Sequence, residues 1–475
     1  MPFNSHFIRG SIFAGFFAAF IALGHGEDEQ PAIALHGFGS MQVGQLVKYK
    51  YQSQDFSGRW MQENRLGLGI DAILHPRLSL YLRMEGALSY NTMPDTALQR
   101  PTDNILAPLF GINPDRAEMV LNLSPESEDS VVRIGIGIFP YKYNREARNL
   151  GEYLFRSGCY PGFIDQEGFD WPQWRLAGLR LENNLFGFWR NEFMITSELY
   201  LPPFNDLSIA LLSDVSVARR ALNLGAGIQF YRAIPMDDFL TTPKMAKRGG
   251  LGARAPNYFV DSMTNDTTFY TFAGAKLMGR FAFDVKRLFN WGMFGKEDLK
   301  LYGEAVILGI KNYPPNLHTD DMMIFVQGQP LCEFGYNKLL QKTPIMAGIN
   351  IPAFKLLDVI SFEWEYYGKK YVNAVPLPGH YDPFYPSTQT PKYPSNPEKG
   401  RFYDSTGFYK SGEAQFKWSF YAKKTLFKRF TITVQLARDH IRTNEIGLMP
   451  INFDMEEALV RNQHWYWRMK FASGF

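Results

Sequence analysis

The sequence predicts an all-β chain that closes into a transmembrane antiparallel β-barrel of about sixteen strands, within a range of about fourteen to eighteen. Three observations predict this fold class. Apolar and polar side chains alternate in many separate segments, long and short connections between those segments take turns, and the last segment carries alternating aromatic residues. The length of 475 residues fits one large barrel as a single domain.

The first segment, residues 1–26, has the layout of a secretory signal peptide. A short region with basic residues precedes an apolar run over residues 12–23, and small residues follow. The run is too short for a convincing membrane anchor. We expect cleavage after Gly24 or Gly26, and a single β-barrel domain with long extracellular loops over residues 27–475. A buried N-terminal helix is the alternative.

Alternation with the two-residue period of a strand defines the wall of the predicted barrel. For example, Leu66, Leu68 and Ile70 share one parity, whereas Arg65 and Asp71 share the other. Dyad repeats of about ten residues separated by turns are typical of a transmembrane barrel, and their weight comes from their number. The segments that follow this pattern are 33–51, 61–74, 78–90, 117–123, 130–140, 174–186, 191–201, 206–214, 221–232, 269–283, 299–310, 344–352, 358–368, 409–422, 430–440 and 463–475.

The connections between these segments fall into two classes that alternate along the chain. Those after even-numbered strands are mostly compact, as at 75–77, 124–129, 187–190 and 423–429. Those after odd-numbered strands include every long one: 91–116, 141–173, 233–268, 311–343, 369–408 and 441–462. Transmembrane barrels have short turns at one end and long loops at the other. The connection 284–298 is long for a turn and strand 117–123 is short, so fourteen or eighteen strands stay open.

The C-terminal strand carries Trp465 and Trp467 on one face, Lys470 on the other, and ends at Phe475. A chain ending on such a strand resembles bacterial outer-membrane β-barrels, although Ser473 stands where that class usually has another aromatic or apolar residue. In that class the terminal strand closes the barrel and is recognised by the barrel assembly machinery. The resemblance implies the outer membrane of a Gram-negative bacterium, contact with membrane lipid, and a role for Phe475 in assembly.

The third long connection, residues 141–173, is charged and aromatic. In porins of sixteen strands the third extracellular loop folds into the lumen and narrows it, and its entry here, Phe139 to Asn144, loosely resembles the phosphate-selective porin O/P type. The matching stretch is too short to transfer any binding residue. Charges at a constriction set solute preference; the alternative is that they solvate a surface loop. The residues predicted at the constriction are Lys142, Arg145, Glu146, Arg148, Glu152 and Arg156.

Charged side chains on the strands are predicted to line the lumen, because Lys or Arg facing lipid at the midplane costs about 2–4 kcal/mol. The cationic candidates are Arg65, Arg83, Arg133, Arg180, Lys276, Arg280, Lys300, Lys417, Arg468 and Lys470. The anionic candidates are Asp71, Glu85, Glu118, Glu182, Glu198, Glu304, Glu363, Glu365 and Asp439. This near balance argues against strong ion selectivity and favours a hydrated channel for small polar solutes.

Outward-facing aromatic residues such as Trp364 and Trp418 are expected in girdles at the membrane interfaces, with a sugar-stacking surface as the alternative. The two cysteines, Cys159 and Cys332, fall in two long loops on the same side, where a disulfide and two unpaired thiols both fit. Two cysteines exclude a thiolate metal site of the usual spacing. A disulfide pairing is not fixed by sequence.

Other function classes find no support in the sequence. Net charge is +3 without a basic cluster, so nucleic acid is not implied. No common catalytic motif occurs, and Asp439 and His440 are adjacent, so on a strand they point to opposite faces. No catalytic residue, cofactor or metal is therefore predicted.

The sequence as a whole predicts a passive outer-membrane channel of the porin class. Solutes are selected by size, and by charge and aromatic contacts at a loop constriction. A structural or adhesive barrel without an open pore is the alternative. Homotrimers are common in the class, but no feature of the chain indicates one.

Overall fold

The computed structural model describes most of the predicted wall and part of its connections. The described residues are 32–48, 50–51, 54–55, 57–58, 60–91, 109–124, 130–155, 166–167, 173–197, 207–234, 258–260, 267–269, 274–288, 293–307, 323–326, 329–333, 343–367, 415–438 and 464–474. The predicted signal peptide, Arg156, Cys159, Glu198, Asp439 and Phe475 lie outside these ranges. Cys332 lies in the strand Gln329–Glu333, of which only the backbone is described.

Sixteen strands of the described chain form the wall, in the order and number that the alternation predicts. They are β1 Ala32–Lys48, β2 Trp60–His75, β3 Leu78–Asn91, β4 Leu109–Asn122, β5 Ser130–Tyr141, β6 Gln173–Leu185, β7 Trp189–Ser197, β8 Leu207–Val217, β9 Leu222–Ile234, β10 Gly274–Asp284, β11 Lys300–Ile307, β12 Ile345–Ile351, β13 Val359–Tyr367, β14 Gln415–Leu426, β15 Phe430–Arg438 and β16 Trp465–Gly474.

The sheet closes on itself, because β1 pairs with β16 as well as with β2. Val43 of β1 lies opposite Gln62 on one side and opposite Met469 on the other, and both pairings are antiparallel. Each remaining strand pairs antiparallel with its neighbours in the chain. Closure leaves no unpaired sheet edge, which is the condition for strands to cross lipid. A barrel of sixteen strands is wide enough to leave an aqueous channel.

The connections segregate as predicted. Turns such as 76–77, 186–188 and 427–429 follow even-numbered strands, and we call that end of the barrel the turn end and the opposite end the loop end. The remaining short elements are Gln166–Glu167 beside β6, the strand pairs Lys50–Tyr51 with Gln54–Asp55, Tyr258–Val260 with Thr267–Phe269 and Met323–Val326 with Gln329–Glu333, and the 3-10 helix Val285–Arg287. Among the described residues, no helix is long and apolar enough to span a bilayer.

The largest difference from the predicted strand bounds is in β4, which begins at Leu109 and not at residue 117. A β-bulge explains the difference. Arg83 of β3 pairs with Arg116 while the next residue, Met84, pairs with Pro114, so Asp115 is inserted between them. A bulge inverts the side-chain parity on one side of it, so a two-residue period detects only the part of the strand after the bulge.

The two faces of the wall differ in polarity along each strand. On β13, Ser361, Glu363 and Glu365 are buried inside the barrel, whereas Trp364 and Tyr366 are exposed on the outside. The outer surface also exposes many aliphatic side chains, including Leu66, Leu68, Ile70 and Leu82. An apolar outer wall around a polar interior is the arrangement that a barrel requires in a bilayer.

Aromatic residues on the outer face gather near the strand ends, as girdle residues do. Trp60 and Trp467 pack edge to face at the loop end, with ring centroids 5.6 Å apart. Trp418 of β14 lies 6.4 Å from Trp465 of β16, on either side of β15. At the turn end, Phe186 stacks on Phe188 within one turn. Phe430 of β15 stacks on Phe471 of the adjacent strand β16. This placement agrees with the predicted girdle.

Candidate functional site

Residues 142–155, the described first part of the third long connection, leave β5 and run through the interior of the barrel. Ala147, Leu150, Tyr153, Leu154 and Phe155 are fully buried there. Hydrogen bonds from the segment reach β10, β13 and β14, and β13 is the strand opposite β5 in a closed sheet of sixteen. The segment therefore reaches across the lumen to the far wall, and its last described residue, Phe155, packs on Tyr141 at the end of β5, with ring centroids 5.4 Å apart.

Glu363 on β13 holds the middle of the segment. Its carboxylate accepts the backbone N–H groups of Arg148 at 2.5 Å, Asn149 at 2.8 Å and Leu150 at 3.0 Å. The hydroxyl of Tyr302 on β11 donates to the same carboxylate at 2.8 Å. Successive backbone N–H groups that converge on one anion form a nest, and charge-assisted bonds of this kind are stronger than neutral ones.

Glu304 on β11 holds both ends of the crossing. It accepts hydrogen bonds from the hydroxyl of Tyr143 at 3.0 Å, the side-chain amide of Asn144 at 2.6 Å and the backbone N–H of Tyr153 at 3.1 Å. Burial and the carboxylate of Glu304 raise the pKa of Tyr143 well above its usual range, so the phenol stays protonated and donates. Residues 143 and 153 are thereby fixed to one point on the wall.

The end of the segment makes two further contacts with the wall. The hydroxyl of Tyr153 donates to Glu365 at 2.7 Å, and Lys417 lies 3.4 Å from the same carboxylate. Lys276 donates to the backbone carbonyl of Leu154 at 3.1 Å. Glu365 and Lys276, which the sequence predicts as lumen lining, therefore bind the loop in the structure, and Lys417 pairs with Glu365.

Two ion pairs connect the segment to the turn end of β11. Arg148 contacts Glu297 at 2.9 Å, and Lys300 bridges Glu297 at 2.9 Å and Glu146 at 3.0 Å. Burial alone would raise the pKa of Glu297, but the neighbouring Lys300 and Arg148 charges overcome it and lower that pKa. The loop therefore reaches from the loop end toward the turn end of the lumen.

Glu152 is buried in a strained part of the segment. Its φ is 64°, the left-handed region that non-glycine residues seldom occupy, and one carboxylate oxygen accepts the backbone N–H of Asn144 at 2.5 Å. Burial, and then the nearby charge of Glu304, raise the pKa of Glu152 well above its usual range. Two predicted loop cations make no such contact with the wall carboxylates named above. Lys142 donates to the backbone carbonyl of Ala147 within the loop, and Arg145 is exposed.

The wall on both sides of β5, from β2 to β7, carries arginine–carboxylate pairs. Arg65 contacts Glu85 at 2.7 Å, and Arg83 contacts Asp115 at 3.1 Å. Glu118 on β4 binds two arginines, Arg116 at 2.6 Å and Arg180 of β6 at 2.9 Å.

The bridge between β4 and β6 passes over β5 at Gly135. A Cβ at that position would lie 2.5 Å from the Glu118 carboxylate and 3.6 Å from Arg180 Nε, so only glycine leaves room for the contact. On the same wall, Arg190 pairs with Glu182 at 3.1 Å and with Glu192.

The structure places several of the predicted lumen charges on the inner face of the wall, together with others that the sequence did not predict. Asp115 and Arg116 were not predicted to line the lumen, because the bulge at Asp115 interrupts the two-residue period there. Glu297 was not predicted to contact the loop, because it lies in a turn, where side chains do not alternate between two faces. The remaining predicted wall charges also lie on inward-facing strand positions. Arg280 pairs with Asp214 at 2.5 Å, and the others, Asp71, Arg133, Arg468 and Lys470, have intermediate or exposed side chains. The described residues include no group of three His, Cys, Asp or Glu side chains placed to hold a metal.

Comparisons with solved structures agree with this architecture. The high-pH structure of Pseudomonas putida OprB superposes with a TM-score of 0.50 at 10% identity, over 97% of this chain and 97% of that one. The chain has the porin fold. Salmonella typhi OmpF in complex with daunomycin has a TM-score of 0.45 at 10% identity, over 93% and 97% of the two chains. A mutant of the Rh. blastica porin has a TM-score of 0.41 at 7% identity, over 94% and 100%.

Identities this low show the fold alone, and the two lower TM-scores carry no argument. No protein-family model matches the sequence, and no curated protein is significantly similar to it. The closed porin-type barrel, with its apolar outer wall, places the chain in the outer membrane of a Gram-negative bacterium.

Proposed function

We propose that the chain is a porin-like channel for the passive diffusion of small polar solutes, and that residues 142–155 form its constriction. The observation that carries the proposal is the crossing of the lumen by this segment, held by Glu363 on the far wall. A closed structural barrel has no need for a loop fixed at one depth inside it. A channel does, because the fixed loop defines the size of the opening.

The chemistry of the interior fits a diffusion pore. Arg83, Arg116 and Arg190 are partly open to the lumen, so water reaches the wall beside the loop. The described interior brings together ion pairs and hydrogen bonds without an arrangement of nucleophile, base and oxyanion donors. Selection by size and by contact with fixed charges requires no chemical step.

A swelling assay on proteoliposomes tests this function. Purified protein is reconstituted into lipid vesicles, which are then diluted into isotonic solutions of neutral sugars of increasing size. We expect fast swelling in a pentose, slower swelling in a hexose and little in a disaccharide, without saturation as the sugar concentration rises. A closed structural or adhesive barrel would swell at the rate of protein-free vesicles, and a saturating rate would indicate a dedicated binding site.

Processing and assembly complete the proposal. Residues 1–26 are inferred to be removed on secretion, the barrel assembly machinery is inferred to insert the chain with the help of Phe475, and a homotrimer is the expected state in lipid. N-terminal sequencing of the mature protein, heat-modifiable migration of a variant lacking Phe475 and mass measurement in detergent test these three points separately.

A further inference from the structure

The arginine–carboxylate pairs on β3, β4 and β6 are asymmetric in their exposure. The side chain of Arg83 is 35% exposed, whereas that of its partner Asp115 is 3% exposed. Arg116 and Arg180 are 25% and 18% exposed, whereas Glu118, which they share, is fully buried. In these pairs the guanidinium is the group that meets the lumen water, whereas in the pair of Arg280 with Asp214 the order is reversed, at 6% and 19% exposure.

Three of these arginines form one patch, which we call the arginine patch: Arg83, Arg116 and Arg180. Arg83 and Arg116 are direct cross-strand neighbours, and Glu118 joins Arg116 to Arg180. Two aromatic rings support the patch from the wall. The guanidinium of Arg116 lies 3.7 Å from the ring centre of Tyr81, and that of Arg180 lies 4.9 Å from the ring centre of Phe139. Stacking uses the face of a guanidinium group and not its N–H edges, which remain able to bind oxyanions; Arg116 binds Glu118 through Nε and Nη2 in this way.

The carboxylates of the far wall are also removed from the lumen water, by a different route. Glu304, Glu363 and Glu365 are buried, and each accepts a hydrogen bond from the third loop. Glu365 also pairs with Lys417. Among the described lumen carboxylates with a paired contact, Asp71 is the most open, at 43% exposure, and it lies 3.9 Å from His36. Glu297, Glu146 and Asp214 are 23%, 21% and 19% exposed, and each is bound by a cation.

We propose that the channel prefers small anions, and that the arginine patch is the part of the wall that contacts them. The preference follows from contact, because a permeating ion can approach the guanidinium groups directly, whereas their carboxylates lie further from it and are already bound by arginine. Counting formal charges, as sequence analysis does, gives a near balance and hides this difference. The inference rests on the proposed channel function and names its solute class.

The test is the reversal potential of the reconstituted channel in a planar bilayer with a KCl gradient. We expect the sign of the reversal potential to be that of a channel more permeable to chloride than to potassium, with a chloride-to-potassium permeability ratio above one. The double variant Arg83→Gln with Asp115→Asn is the decisive one, because its formal charge equals that of the wild type. It removes one open cation and one shielded anion, so its permeability ratio should move toward one.

A matched control separates open lumen charge from formal charge. Arg220→Gln removes one positive charge from an exposed turn outside the lumen and should leave the ratio unchanged. A ratio at or below one in the wild type overturns the inference, even where the double variant fails to fold, and so does an unchanged ratio in a folded double variant. A bilayer that shows no conductance at all overturns the channel function itself, and this inference with it.

Discussion

The carboxylate of Glu363 accepts the backbone N–H of Asn149 at 2.8 Å, although 214 positions separate the two residues in the chain. The N–H groups on either side of Asn149 bind the same carboxylate. One wall residue therefore fixes three consecutive residues of a loop that begins on the opposite side of the barrel. The position of the third loop depends on the far wall more than on its own sequence.

Removing this anchor should release the loop. Glu363→Ala leaves three buried N–H groups without their acceptor, and we expect the free energy of unfolding to fall by about 1–3 kcal/mol. We also expect noisier single-channel currents, because the loop then samples several positions. Asp71→Ala removes an open lumen carboxylate and is the matched control, with little effect on unfolding. Urea unfolding that is equal for both variants would refute the anchoring role.

Gly137 on β5 should tolerate no side chain. Its φ is 132°, and an added Cβ would lie 2.0 Å from the carbonyl oxygen of Ala117 on β4, a backbone atom that cannot move aside cheaply. Gly137→Ala should lower stability by about 1–3 kcal/mol. Gly279→Ala serves as the control, because nothing lies within 4 Å of a Cβ there. The temperature at which each barrel loses its folded gel migration measures the difference, and equal temperatures would contradict the strain.

The sequence predicts the wall well because a two-residue period is a local signal that tertiary contacts reinforce. β13 shows why: Glu363 and Glu365 alternate with Trp364 and Tyr366, and lipid on one side and the interior on the other enforce the pattern. The bulge at Asp115 breaks that period, so β4 was predicted too short.

The contacts of the third loop follow a different rule and could not be predicted. Nothing in the sequence around Asn149 indicates that its partner is Glu363, because the pairing arises only when the barrel closes. For the same reason, the number of lumen charges is visible in the sequence, whereas their exposure is not. Glu118 and Arg180 count equally in a sum of charges, yet only Arg180 faces the lumen.

Lys142 should make stability depend on pH in the alkaline range. Burial, and then the charge of Arg148, lower the pKa of Lys142 to about 8, below the usual lysine value of about 10.4. Between about pH 8 and pH 10.4 the unfolded chain holds more protons than the folded one, so the free energy of unfolding rises with pH, by up to about 3 kcal/mol. Lys142→Met should lack this component. Urea unfolding of both proteins across that range measures it, and parallel curves would exclude the effect.

The orientation of the barrel predicts which connections reach the cell surface. Epitope tags inserted in the long connection 368–414 should bind antibody on intact cells, because long loops face the outside. A tag in the turn 427–429 should bind only after the outer membrane is permeabilised. The two positions flank the same strand, β14, so each controls for expression of the other. Labelling of the turn but not of the loop would reverse the proposed orientation.

The most direct test of the constriction is the single-channel conductance of the wild type beside a variant in which residues 144–154 are replaced by a short Gly-Ser linker. Shortening the connection 368–414 by the same number of residues provides the control. If residues 142–155 narrow an open pore, the wild type conducts, the control matches it, and the third-loop variant conducts more per channel, because the segment that crosses the lumen is gone. A wild type that does not conduct, or a folded third-loop variant with the conductance of the wild type, would contradict the account.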